Sequence, residues 1–313
     1  MLKVAILGIG GISGAHIPAW QNMENAEIVA LCDIRPEQMK KYQMFRRYTS
    51  FDDLLEKEQI DILDICLPTY LHVEYAVKAM ERGIHVLCEK PLSLNAQDVV
   101  KVYGAAKRNH VKFMVAQVLR FWPEYDYVKN IYDLGTYGKL LSGTMSRLEQ
   151  CPAWSEGGWM RDENRSGLVP FDLHIHDLDF LVHAFGAPKS AVPFRVKRPE
   201  QDYLNVTYQF DDFFVNTEAA WYAAAYPFKA EFRFQFEKAV VAMENGKLKV
   251  YEADGKMLDV TPGTIGDTGE IHLPQSNAYA NEIAYFAKCV ENDTWPEKVK
   301  AEELETVIRL LRE

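Results

Sequence analysis

Apolar residues in the first third of the chain fall in short unbroken runs: Val4 to Leu7, Ile28 to Leu31, Ile60 to Leu67, Ile84 to Leu87 and Phe113 to Val118. Runs this short and continuous predict strands buried on both faces. Between them apolar residues recur at helical spacing, as in Val73, Ala76, Val77 and Met80. The alternation predicts βαβ units, hence an α/β Rossmann domain with a parallel doubly wound sheet over residues 1–120. From residue 121 the pattern changes. Leu140 to Leu148, Tyr203 to Phe210, Phe213 to Trp221, Phe232 to Phe236, Ala239 to Met243 and Leu248 to Tyr251 read as strands with few helices between them. Residues 121–313 are therefore expected to form an α+β domain with a large, mainly antiparallel open sheet. One helix interrupts it, from Pro170 to Phe185, with a core stripe of Phe171, Ile175, Leu178, Val182 and Phe185. Beside that stripe, about 100° round the helix, runs a polar one: Asp172, His176, Asp179 and His183.

Composition narrows the function. The chain has 313 residues, 48% hydrophobic and 12% aromatic, and a net charge of −10. That suits two folded domains and argues against a nucleic-acid partner, which needs a basic footprint. No apolar run is long enough to span a bilayer, so no membrane partner is expected. The first residues read as a buried strand rather than a signal peptide, because they run into glycines with no cleavage site. Five cysteines, an odd number with no CxxC, indicate neither a disulfide framework nor a thiolate zinc site. A reducing, cytoplasmic setting is expected.

In a parallel sheet, ligands bind at the carboxyl ends of the strands. Gly8-Ile9-Gly10-Gly11-Ile12-Ser13-Gly14 follows the first strand and fits G-x-G-x-x-G with Ser13 in the third glycine position. Gly8 permits the tight turn and Gly10 lets the backbone approach a pyrophosphate. A small Ser13 lets the helix pack on the strand and offers a hydroxyl to a phosphate. Asp33, at the end of the second strand, suits the ribose hydroxyls of NAD. Arg35 beside it admits NADP, since an Arg there can hold a 2′-phosphate.

Two further segments, Asp64-Ile65-Cys66-Leu67-Pro68-Thr69-Tyr70-Leu71-His72 and His85-Val86-Leu87-Cys88-Glu89-Lys90-Pro91-Leu92, resemble signatures of the glucose-fructose oxidoreductase / inositol dehydrogenase / MocA family. The Glu89-Lys90-Pro91 triplet is the most specific. Gly167 to Asp177 resembles the motif ahead of that family's catalytic His, although a single Gly167 stands where the family has a glycine run. The resemblance spans Val4 to Leu311 and implies an NAD(P)-dependent dehydrogenase acting on CH–OH groups of sugars, inositols or related polyols. It implies a cis bond before Pro91 and catalytic roles for three residues. His176 is the acid/base, Lys90 the orienting cation and Asp172 the partner of His176. It extends the cofactor contacts from the glycine turn (Gly8, Gly10, Gly11, Ile12, Ser13) and Asp33 with Arg35 to Leu67, Pro68, Thr69 and His72. Glu89, Lys90 and Gln117 complete that set. Around the substrate Arg120 is expected besides Lys90, Asp172 and His176, together with Trp154, Trp159 and Arg161 of the loop from Gln150 to Arg165, since aromatics stack on sugar faces and an Arg can meet a carboxylate or phosphate, and with Tyr279 at the start of a later helix.

With Lys90 and His176 in different domains, the substrate is expected between the two. No metal is expected: His174 and His176 point about 200° apart on a helix and cannot share one ion. Two other functions fit the same residues. One is a glycoside-cleaving enzyme whose tightly bound NAD oxidises the sugar transiently. The other is a dinucleotide-binding sensor or regulator without catalysis. A homo-dimer or homo-tetramer through the second domain's sheet is expected; the alternating Phe232, Phe234 and Phe236 suit such a face, and a face covered within the domain would show the same alternation.

Overall fold

The computed structural model describes residues 1–263 and 277–312. It divides into two compact units, one holding residues 1–118 and 277–305, the other residues 119–263 and 306–312. The first contains β1 (Leu2–Leu7), α1 (Ser13–Gln21), β2 (Ala26–Cys32), β3 (Arg46–Tyr48), α2 (Phe51–Lys57), β4 (Ile62–Ile65), α3 (His72–Met80), β5 (His85–Glu89), α4 (Ala96–Arg108) and β6 (Phe113–Ala116). The six strands pair in parallel in the order β3-β2-β1-β4-β5-β6. The chain thus winds outward from β1 and then back from β4, which makes β1/β4 the switch point where such sheets bind ligands. The apolar runs are what bury the sheet on both faces: Val4, Ala5, Ile62, Leu63, Val86, Leu87, Phe113 and Met114 are inaccessible to solvent. Side chains set the helix starts. Ser50 accepts the Asp53 N–H ahead of α2, and Asn95 accepts the Gln97 N–H ahead of α4.

The second unit begins with α5 (Pro123–Asp133), which carries Pro at its first position, and continues with β7 (Leu140–Gln150), the short α6 (Glu163–Ser166) and α7 (Ile175–Phe185). Then follow β8 (Ser190–Arg198), β9 (Gln201–Gln209), β10 (Phe214–Tyr222), β11 (Lys229–Phe236), β12 (Ala239–Glu244), β13 (Lys247–Glu252) and β14 (Met257–Asp259). The eight strands run β14-β13-β12-β11-β7-β10-β9-β8. Only β7 and β10 pair in parallel; every other neighbouring pair is antiparallel. One face carries the core. Tyr125 of α5 stacks edge-on against Phe180 of α7 and Phe232 of β11, each at 5.0 Å, and Phe180 and Phe185 meet Phe234. Phe232, Phe234 and Phe236 are therefore buried beneath helices. Of the two places their alternation allows, an oligomer face or a covered face of the sheet, they take the covered one, since period-2 alternation marks a half-buried strand without saying what covers it.

Two helices close the chain, α8 (Ala278–Glu291) and α9 (Ala301–Leu310). Residues 277–305 do not stay with the second unit, so the expected assignment of 121–313 to one domain differs from the compact units. The reason is visible in α8, whose apolar stripe of Tyr279, Ile283 and Phe286 is buried in the first unit, with the Tyr279 ring 5.8 Å from that of His16 in α1. Among the described residues no helix is long and apolar enough to cross a membrane.

Candidate active site

The glycine turn sits at the carboxyl end of β1. Gly8 takes φ +92°, and a Cβ there would lie 2.6 Å from the carbonyl oxygen of Cys66, so no other residue fits without movement. Gly10 and Gly11 differ: nothing lies within 4 Å of a Cβ at either. The crest of the turn is open while its base is closed. Ile12, at the N-cap of α1, provides no side-chain cap, and in the first turn the Gly14 and Ala15 N–H groups bond the carbonyls of Gly11 and Ile12, each at 3.0 Å. Ser13 is buried and its hydroxyl donates to Gly10 O at 2.7 Å. It shapes the turn from inside, in contrast to the expected hydroxyl contact with a phosphate. Asp33 braces the turn from the neighbouring strand, accepting the Ile9 N–H at 2.7 Å and the Arg35 N–H at 2.8 Å; the Arg35 guanidinium stands 3.5 Å from the same carboxylate. An open glycine crest, an uncapped helix start and a carboxylate at the end of β2 fit the adenosine diphosphate half of NAD.

The ends of β4 and β5 meet the turn. Leu67 and Pro68 are half-buried and Thr69 is buried. His72, buried, joins the two loops: its Nδ1 lies 2.8 Å from Pro91 O and its Nε2 2.7 Å from Leu67 O. It thus sits between the loop after β4 and the segment after β5, and as a neutral imidazole it donates to one of the two carbonyls at a time. Burial lowers its pKa. Lys90 is half-buried directly after β5, and the Lys90–Pro91 bond is cis, as the resemblance implies. Gln117 is buried just beyond β6.

Beneath these loops lies a charged cluster that the sequence reading missed. His16 is fully buried in α1, its Nδ1 2.8 Å from Asp64 Oδ2 and its Nε2 2.9 Å from Glu89 Oε1. Trp20 Nε1 donates to the same Asp64 oxygen at 2.7 Å, and Glu89 Oε2 accepts the Lys90 N–H at 3.0 Å. Burial opposes a charge on His16, but the adjacent Asp64 carboxylate overrides it and holds the pKa well above 6.5. A signal was present: acids inside or ending apolar strands, such as Asp64 and Glu89, require buried partners. Asp64, His16 and Cys66 also approach one another at metal-ligand distances. Yet both His16 nitrogens face carboxylates, and burial pushes the Cys66 thiol up to about 12, so these groups satisfy one another as a hydrogen-bonded set.

In the second unit, Gly167 has φ +76°, and a Cβ there would meet the Phe171 ring at 2.4 Å. Leu168 follows at φ +59°. Pro170–His174 form a π-turn that passes into α7, so Asp172 and His176 straddle a change of helical period. π-turns of this kind recur at functional sites. Asp172 and His176 are half-buried in a segment that is otherwise almost wholly buried. Their neighbours are structural. Arg147 grips Asp177 and Tyr125, and His174 lies 2.7 Å from the Tyr208 hydroxyl. Burial, aided by Arg147, pushes His174 down to about 3, which keeps it neutral.

The expected substrate residues separate. Arg120 is 1% exposed and forms a two-pronged ion pair with Asp179, at 2.8 and 2.6 Å, which corrects its expected contact with substrate. Tyr279 belongs to the first unit, over His16, and not to the second domain. Trp154 is exposed and Trp159 half-buried. Arg161 donates to Pro152 O at 2.9 Å and to Glu200 at 2.6 Å, and it lines a pocket of about 350 Å³ with Lys197, Arg198 and Trp221.

A doubly wound parallel sheet with an open glycine crest, joined in sequence to a mainly antiparallel sheet unit, defines a dinucleotide-binding protein of the two-unit oxidoreductase type. Comparison with known proteins gives the particular family. Residues 2–117 match the model described as the oxidoreductase family with an NAD-binding Rossmann fold, and residues 125–248 match the GFO/IDH/MocA C-terminal domain. The chain belongs to this NAD-binding family. It is 29% identical over 188 residues to 2,7-anhydro-N-acetylneuraminate hydratase of Escherichia coli (strain K12), covering 59% of this chain and 50% of that one. It shows the same identity and coverage with D-apiose dehydrogenase of Paraburkholderia graminis. The chain spans about half the length of these curated relatives. Its fold resembles that of myo-inositol 2-dehydrogenase from Lactobacillus plantarum, with TM-score 0.81 and 22% identity, over 99% of this chain and 95% of that one.

Proposed function

We propose that the protein is an NAD(P)-dependent dehydrogenase that moves a hydride between a secondary alcohol of a sugar, inositol or related polyol and the nicotinamide. The observation that carries this reading is the gathering, at the carboxyl ends of β1, β4 and β5, of an open glycine crest, the Leu67–Thr69 loop and a half-buried Lys90. When bound, NAD supplies the hydride acceptor. Lys90 orients the hydroxyl and stabilises the developing alkoxide. His176 takes the hydroxyl proton, and Asp172, close by in sequence, orients its imidazole. Asp33 favours NAD, and the Arg35 guanidinium beside it accommodates NADP.

A second reading has one observation in its favour, the hydratase name of the E. coli relative. A reaction of that kind ends with the cofactor in the state in which it began. The open face of the second unit's sheet, with exposed Val192, Phe194, Val196 and Tyr203 on β8 and β9, is the surface proposed for a homo-dimer or homo-tetramer.

The test is a panel of inositols, aldoses, sugar acids and sugar phosphates assayed for NADH and NADPH formation. Lys90→Ala and His176→Ala are each expected to lower turnover by at least about 10²-fold. Near-normal turnover in both variants overturns the mechanism. Retention of tightly bound NAD with product formed and no net reduction selects the second reading.

A further inference from the structure

We propose that His16 is a positioning residue for Lys90, acting through Glu89 from a buried place where it touches neither substrate nor cofactor. The chain of contacts is short. His16 Nε2 meets Glu89 Oε1 at 2.9 Å, and the other oxygen of that carboxylate accepts the Lys90 N–H at 3.0 Å. From the opposite side, His72 Nδ1 holds the Pro91 carbonyl at 2.8 Å. The backbone of Lys90 is therefore held at its own N–H by Glu89 and bordered at the next carbonyl by His72. The first grip is made by Glu89, the last residue of β5, with His16 of α1 behind it; the second comes from His72 of α3.

The electrostatics make the His16 grip stiff. His16 stands between two carboxylates, Asp64 and Glu89, with side-chain exposures of 0% and 7%. Only a doubly protonated imidazolium donates to both at once. Without it, two buried carboxylates face each other with no cation between them, so one takes up a proton or turns away. Asp64 has a second partner, the Trp20 indole N–H, and stays where it is. Among the described residues Glu89 has only the Lys90 N–H on its other oxygen, so Glu89 is the group that moves. Lys90 moves with it. The network thus has one branch that reaches Lys90, through Glu89, and one that does not, through Trp20.

Those two branches give the test. The kinetic arm rests on the catalytic reading of Lys90 given above; the labelling arm does not. In the cofactor-free protein, acetylation of Lys90 is measured by peptide mass spectrometry relative to exposed Lys288. In His16→Asn and Glu89→Gln, Lys90 is expected to react at least about threefold faster as its segment loosens. With an active substrate from the panel, kcat is expected to fall at least about tenfold with KM within about threefold. Trp20→Phe, which removes a bond to Asp64 alone, is expected to lower Tm while labelling and kcat stay within about twofold. If His16→Asn behaves as Trp20→Phe does, with lowered Tm but unchanged labelling and kcat, His16 is a core residue only and the proposal is overturned. Glu89→Gln decides in the same way if His16→Asn does not fold. Full activity in Lys90→Ala removes the catalytic reading and leaves the labelling arm to decide the positioning role.

Discussion

The two ends of the glycine turn make opposite predictions for the same substitution. At Gly8 an alanine meets a backbone oxygen, Cys66 O, at 2.6 Å, in a conformation with φ +92°. The left-handed backbone alone costs about 1–2 kcal/mol, and the clash adds to it. Gly8→Ala should therefore destabilise the first unit by at least about 2 kcal/mol without any cofactor present. At Gly10 an alanine meets nothing within 4 Å. There the smaller entropy of the unfolded chain stabilises by about 0.4–1 kcal/mol, so cofactor-free Gly10→Ala should unfold at or slightly above the wild-type temperature. Its methyl group occupies the space a pyrophosphate needs. With NAD at one hundred times the wild-type Kd, wild type gains about 2.7 kcal/mol, whereas a variant bound about a hundredfold more weakly gains only about 0.4 kcal/mol. Scanning calorimetry with and without NAD, at a concentration set from titration calorimetry of the wild type, measures both numbers. A Gly10→Ala protein that keeps the full NAD-induced shift refutes the placement of the pyrophosphate on this turn. An unperturbed Gly8→Ala protein refutes the close approach of β1 and β4 at Cys66.

Three further outcomes are expected. Asp33→Ala should weaken NAD more than NADP in titration calorimetry, because it removes the ribose acceptor and frees Arg35 for a 2′-phosphate; equal losses would show that Asp33 serves only the Ile9 N–H. Asp179→Ala strands the Arg120 guanidinium in a site where both side chains are at most 1% exposed, so denaturant unfolding should report a loss of about 3–5 kcal/mol in the second unit. His174 sits near 3 when folded and near 6.5 when unfolded, so the unfolded chain binds the extra proton between those values. Stability from this group is present above pH 6.5 and is lost as pH falls toward 3, by about 4–5 kcal/mol at most. His174→Gln should flatten that part of the acid-unfolding profile.

What the sequence revealed of the fold follows from burial on two faces. The five apolar runs of the first sheet all became strands: four are interior, where a parallel strand must be apolar throughout, and the fifth, β6, is an edge strand whose four residues are all buried. The strands it did not reveal, β3, β8 and β14, are all edge strands. These three have one bonded flank and no buried residue. β8, Ser190–Arg198, has no buried residue at all and contains Pro193, which an interior strand excludes. The return of α8 to the first unit was equally hidden, since an amphipathic helix states that it needs an apolar partner and not which one.

The site was legible where chemistry is written in short motifs, and it was hidden where chemistry depends on neighbours distant in sequence. The buried histidines His16 and His174 show why. Both lie in apolar helical surroundings, and nothing local distinguishes their charge. His174 meets a neutral Tyr208 hydroxyl and stands near Arg147, so burial and a like charge keep it neutral. His16 meets carboxylates 48 and 73 residues further along, from two different strands, and the nearer in sequence, Asp64, raises its pKa against the burial that opposes a charge. Those carboxylates converge because β4 and β5 are neighbours in the sheet and β4 also pairs with β1, from which α1 departs. Sheet order therefore decides the protonation state of a helix residue, and through Glu89 that state reaches Lys90. A histidine that reads as core filling in sequence becomes, once β1, β4 and β5 are side by side, the group on which the orientation of Lys90 depends.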